Sequence, residues 1–123
     1  LPNLTPLLDL IDEAWLETNG TRNPVWLAHP SLRWITCSPK SPVNELCIGL
    51  CHEVRIPVTV DTTPERVSEY LRHFCTMPAS FFFSPTFDGE RISKPTCARF
   101  LQLLERFPHV RPSLQLHKIG GFL

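Results

Sequence analysis

Residues 52–74, HEVRIPVTVDTTPERVSEYLRHF, constrain the fold of this chain more than any other stretch. Val54, Ile56, Val58 and Val60 alternate with Arg55, Pro57 and Thr59, the period of a half-buried strand. The period then changes. Thr62-Thr63-Pro64-Glu65 has the T-x-x-E form of a capping box, with a proline in the first turn. Val67, Tyr70, Leu71 and Phe74 follow at i, i+3, i+4 and i+7, one apolar face of a helix. A strand is therefore expected to run directly into a capped helix.

The flanking sequence supplies more elements. Thr5 can cap and Pro6 can open a helix over 5–17, with Leu8, Ile11 and Trp15 on one face and Asp9, Asp12, Glu13 and Glu17 elsewhere. TNGTRNP ends it with turn chemistry. SLRWITC (31–37) and the apolar run ELCIGLC (45–51) are expected as strands, Gly49 marking a bulge or close approach. SFFFSPTF (80–87) is a further strand, closed by a turn at Asp88-Gly89. Ser93 and Pro95 open a second helix whose Phe100, Leu103, Leu104 and Phe107 share a face, and Pro108 closes it. SLQLHKI (113–119) is expected as the last strand. The predicted core is Val54, Ile56, Val58, Val60, Val67, Leu71, Phe74, Leu104 and Phe107.

This order of strands, capped helix, strand, shorter helix and closing strand resembles the ubiquitin-like β-grasp domains of Ras-association type. VRIPVTVDTTPERVSEYLRHF carries the resemblance, together with FDGERISKPTCARFLQLLERFPHVRPSLQLHKI, over about residues 45–119. It implies an α+β fold, a mixed sheet with one main helix across it, plus an additional N-terminal helix. The domain plan is then an acidic helix and linker over 1–30 and the ubiquitin-like domain over 31–123.

By resemblance the function is that of a non-enzymatic protein-interaction or scaffolding module of a larger signalling protein, engaging a small GTPase. The partner-binding candidates are Arg55 on the strand and Arg66, Arg72 and His73 on the helix, basic groups that would face an acidic effector surface. The sequence departs from that pattern at Pro57, which offers no N–H for intermolecular strand pairing, and at Asp61 and Glu65, which are negative where basic residues are wanted. The plainer reading of the four candidates is solvated charge on a structural domain.

Composition narrows the other classes. The 12 Lys+Arg balance 12 Asp+Glu, which gives no electrostatic case for nucleic acid, and no basic stripe accompanies Phe81-Phe82-Phe83. No apolar run approaches the ~20 residues of a membrane span. No cofactor is expected. Cys47, Cys51, His52, His73 and Cys75 are the residue types of a zinc site. On an extended strand, however, Cys47 and Cys51 would lie about 13 Å apart, too far to share an ion. No motif supports a cysteine nucleophile.

The five cysteines cannot all pair within the chain, and reduced thiols in a cytoplasmic module are the first reading. The alternative is an extracellular, disulfide-stabilised receptor- or ligand-binding domain, for which the sequons Asn3-Leu4-Thr5 and Asn19-Gly20-Thr21 speak. The chain carries no initiator Met, so other domains of the same parent chain are expected as neighbours.

Overall fold

The computed structural model describes residues 2–114. Five strands, β1 (Ala14–Thr18), β2 (Leu32–Cys37), β3 (Glu53–Val58), β4 (Ser80–Pro85) and β5 (Arg111–Pro112), form one sheet in the order β1-β2-β3-β4-β5. Every neighbouring pair is parallel. The class is therefore α/β, and the ubiquitin-like β-grasp is overturned, because that architecture mixes antiparallel with parallel strands. The reason is one of connectivity. A strand, a helix and a strand satisfy the same local patterns in either architecture, but here each connection crosses over to return in the same direction.

The last two crossovers are helices: α2 (Pro64–His73) between β3 and β4, and α3 (Lys94–Arg106) between β4 and β5. The first two are irregular, each holding a short 3-10 turn, at Val25–Ala28 and Val43–Glu45. A parallel sheet whose spatial order follows chain order, wound with the usual right-handed crossovers, carries all its connections on one face. Burial agrees. Val54, Ile56 and Val58 of β3 are fully buried while Glu53, Arg55 and Pro57 between them are half-buried. In register on β4, Phe83 is fully buried beside Ile56. Val67, Tyr70 and Phe74 of α2 and Phe100 and Leu103 of α3 join the same core.

No described helix packs across the opposite face. Across it run Trp15 of β1 and its register partner Trp34 of β2, then the Glu53–Arg55 pair, then Phe82 with Arg111 over its ring at 5.5 Å. Trp15 is 73% exposed and Trp34 37%. His52 continues the aromatic row, its ring 5.3 Å from Trp34 and nearly parallel to it. A one-layer, chain-ordered winding of this kind is the one used along the wall of β/α barrels.

The N-terminal segment departs from expectation. Only Thr5–Leu8 is helical, α1, and Ala14–Thr18 is strand β1. Leu8, Ile11 and Trp15 match helical spacing, but Ala14-Trp15-Leu16-Glu17-Thr18 matches the strand period equally, and pairing with β2 decides. Residues 45–51 are loop beyond Glu45 rather than strand; Gly49 does mark a close approach, its N–H donating to Asn23 Oδ1 at 2.9 Å. The last expected strand, 113–119, lies largely outside the described residues, and β5 falls just before it.

The central stretch holds. The cap of α2 is Thr63, whose Oγ1 accepts from the Arg66 N–H, so the capping signal sits one residue later than the T-x-x-E box implied. Ser93 caps α3 as expected. Of the predicted core, Val60 is 42% exposed and Leu71, Leu104 and Phe107 are partly buried; the other five are fully buried.

Candidate functional site

A parallel sheet sends the carboxyl ends of all its strands to one edge, where α/β proteins place their sites. Here that edge holds a cleft of about 510 Å³ lined by Pro39 and Lys40 after β2, Pro57 and the Thr59–Thr63 loop after β3, Arg66 and Tyr70 of α2, and Thr86 after β4. A second hollow of about 290 Å³ adjoins it toward the uncovered face and adds Glu17, Arg55 and Ser84. Lys40, Pro57 and Thr86 line both.

Strand divergence opens the cleft. The pairing of β2 with β3 ends at Cys37–Val54, whereas β3 and β4 stay paired to Val58–Pro85. The Thr86 N–H donates to Val58 O, so Pro57, the residue before, turns its backbone toward β2. At that height β2 has already ended. A proline there costs no ladder bond, which is how a proline fits in the middle strand of the sheet.

The walls are tied to one another. In the loop from β3 to α2, the Thr59 N–H donates to Thr62 Oγ1 at 2.9 Å and the Asp61 N–H to Thr59 Oγ1 at 3.2 Å. Arg99 of α3 donates to Thr62 O at 2.7 Å and anchors the loop from outside. Tyr70 Oη donates to Ser41 O at 2.8 Å, linking α2 to the segment that carries Lys40. Arg66 Nη1 donates to Tyr70 Oη at 3.3 Å with its guanidinium 5.8 Å from the ring centre. That hydrogen bond, and to a lesser degree Glu69 nearby, raises the pKa of Arg66 further, so its charge is permanent.

The four predicted contact residues do not form one patch. Arg66 lines the main cleft and Arg55 the adjoining hollow, where its Nη2 donates to Glu53 at 2.6 Å and its buried Nε has no partner among the described residues. Arg72 is exposed and His73 half-buried at the far end of α2, with the His73 ring edge-on to Phe74 at 4.9 Å. Because α2 packs on the covered face, the sheet separates Arg55 from Arg72 and His73.

Sequence reasoning missed Lys40, Thr59 and Thr86. Their common feature is position just past the end of a strand, which becomes a shared edge only once all strands are known to be parallel. Among the described residues no group of three His, Cys, Asp or Glu side chains could hold a metal ion, and no helix is long and apolar enough to cross a membrane. The five cysteines are free; Cys37 and Cys51 are buried and Cys47, Cys75 and Cys97 exposed. Burial pushes the Cys37 thiol up to about 12, with Cys51 adding to the shift, and the Cys51 thiol up to about 11.

The fold and the cleft thus define the class: a singly wound, all-parallel α/β unit with a concave site at the carboxyl ends of its strands. No protein-family model, curated protein or solved structure matches the chain.

Proposed function

We propose that this chain is a binding module that takes a small ligand in the cleft at the carboxyl ends of β2, β3 and β4. The observation that carries this reading is the cleft itself, which opens where β2 diverges from β3. Its walls are cross-tied by Tyr70–Ser41 and Arg99–Thr62, so little needs to be ordered on binding. The lining is proline, threonine, tyrosine and a few charges, a mix that can hold a ligand by hydrogen bonds, charge and apolar contact. The test is a fragment screen by thermal shift. Binders should lose their effect in Thr86→Trp, which puts a bulky ring into the lining after β4; binders indifferent to that change would contradict the reading.

A second reading keeps the protein-interaction role expected from the sequence, and the uncovered sheet face favours it. All-parallel sheets are rarely left bare on one side, and Trp15 and Trp34 are residue types enriched in protein interfaces. Glu53 and Arg55 pair with each other there, while Glu17 and Arg111 keep their charges at its two sides, so the fitting occupant is an apolar surface flanked by charges of complementary sign. A second copy of the chain offers one in its own open face, in a two-fold arrangement. Sedimentation velocity should show a dimer that Trp15→Ser with Trp34→Ser abolishes; a monomer at every concentration would rule this out.

A further inference from the structure

Resting on the cleft reading, we propose that the ligand is a small organic anion whose phosphate or carboxylate group sits between Lys40 and Arg66. These two cations line the same cleft from different elements, one from the segment after β2 and one from α2, and the Tyr70 hydroxyl that Arg66 donates to is itself bonded to Ser41 O, next to Lys40. Neither has an ion-pair partner within 4 Å among the described residues, where the ion pairs are His29–Asp9 and Arg55–Glu53. Unpaired cations converging on a concave space are unusual, because the ordinary fate of a surface cation is solvent or a carboxylate neighbour.

Arg66 is also aimed. Its guanidinium has five N–H donors, and one is committed to Tyr70 Oη, a neutral acceptor that fixes the group without cancelling its charge. The remaining donors form the fork that matches a phosphate or carboxylate edge. Lys40 supplies a second, movable point charge from the segment after β2. The Tyr70–Ser41 hydrogen bond holds the two walls at a constant separation. Thr86, in the lining after β4, adds a hydroxyl donor.

The rest of the lining says what the anion is attached to. Pro57, with the small exposed parts of Pro39 and Tyr70, gives the cleft an apolar side, which a bare inorganic ion would leave unused. Asp61 is the one carboxylate in the lining of the main cleft. It disfavours a second negative charge at its end of the site. A compact ring or chain bearing one anionic group satisfies both walls.

The experiment is an amide chemical-shift titration of the chain with three ring compounds of similar size: phenyl phosphate, benzoate and benzyl alcohol. The inference predicts saturable shifts centred on Lys40, Thr59 and Thr86 with at least one of the two anions and weaker binding of the alcohol. Whichever anion binds more tightly names the group. Lys40→Met and Arg66→Gln should each weaken that binding roughly tenfold, about the worth of one charge-assisted contact. Both substitutions keep the fold, checked by circular dichroism, since Lys40 is exposed and the glutamine amide of Arg66→Gln retains a donor for Tyr70.

If the alcohol saturates at these amides as tightly as the anions do, the cleft reading stands and the anion inference falls. If no compound shifts them, both fall. Anion shifts centred instead on Arg33 or Arg111, or unchanged affinity in both variants, would overturn the assignment to Lys40 and Arg66.

Discussion

The run Phe81-Phe82-Phe83 offers a sharp test of a sheet with one covered and one open face. Phe83 is fully buried, at 0% solvent exposure, beside Ile56 and edge-on to Phe107 at 6.2 Å. Burying roughly 150–200 Å² of phenylalanine at about 25 cal/mol per Å² is worth about 4–5 kcal/mol. Phe→Ala substitutions in cores cost about 3–5 kcal/mol. Phe83→Ala should therefore cost about 4 kcal/mol. Phe82 faces the other way, half-buried, and its particular contact is the Arg111 guanidinium. Such an exposed cation–aromatic contact contributes about 0.5–1 kcal/mol, so with some lost area Phe82→Ala should cost about 1–1.5 kcal/mol. Phe81, on the covered face but only partly buried, should fall between them. The assay is urea unfolding followed by far-ultraviolet circular dichroism, compared at equal m-values. Equal costs for Phe82→Ala and Phe83→Ala would refute the reasoning, because the face taken as open would then be as well packed as the core.

Four further outcomes follow from local geometry. Val67→Asp places a charge at a fully buried site of α2 and should cost several kcal/mol, whereas Arg72→Glu, exposed on the same helix, should stay within about 0.5 kcal/mol of the parent by the same urea assay. Gly20 has a positive φ of 83° and an added Cβ would stand 2.7 Å from Cys37 Sγ, while Gly89, at φ 65°, has open space around it; Gly20→Ala should lower the midpoint of thermal unfolding far more than Gly89→Ala. Iodoacetamide on the native chain at mildly alkaline pH should modify Cys47, Cys75 and Cys97 and spare Cys37 and Cys51, all five reacting in denaturant, as counted by intact mass. Because the buried thiols hold their protons up to about 11 and 12, against 9.0 ordinarily, the unfolded chain releases those protons first. Stability should therefore be intact below pH 9 and decline as pH rises from there toward 12.

The middle of the chain was legible because its signals are local. The alternation from Val54 to Val58, the proline at the start of α2, Ser93 before α3 and the Asp88-Gly89 turn each report their own neighbourhood, and each is found where expected. Strand direction is not local. Nothing within VRIPVTVDTTPERV says whether the strand after the helix returns parallel or antiparallel, so the β-grasp and the parallel sheet read alike. The misreading of residues 5–17 shows the same gap: Leu8, Ile11 and Trp15 fit a helix face, but Trp15 pairs beside Trp34 in the sheet and is largely exposed. The site was half legible. Arg66 and Arg55 were singled out for their charge, yet Lys40 and Thr86 could be joined to Arg66 only by parallel strands ending at a common edge. Val60 failed as a core residue for a related reason, since β3 ends at Val58 and the alternation outruns the strand.

That common edge is the foundation of the account, and strand direction tests it most directly. The measurement is the pattern of backbone nuclear Overhauser effects between β3 and β4 in the isotope-labelled chain. Parallel pairing predicts interstrand amide–Hα contacts that advance together along Arg55–Val58 and Phe82–Pro85, in the register Ile56 with Phe83, and no close Hα–Hα pairs. Strong Hα–Hα contacts between these strands, with the register running in opposite directions, would contradict it: Thr59 and Thr86 would then lie at opposite ends of the sheet, and the cleft would not exist.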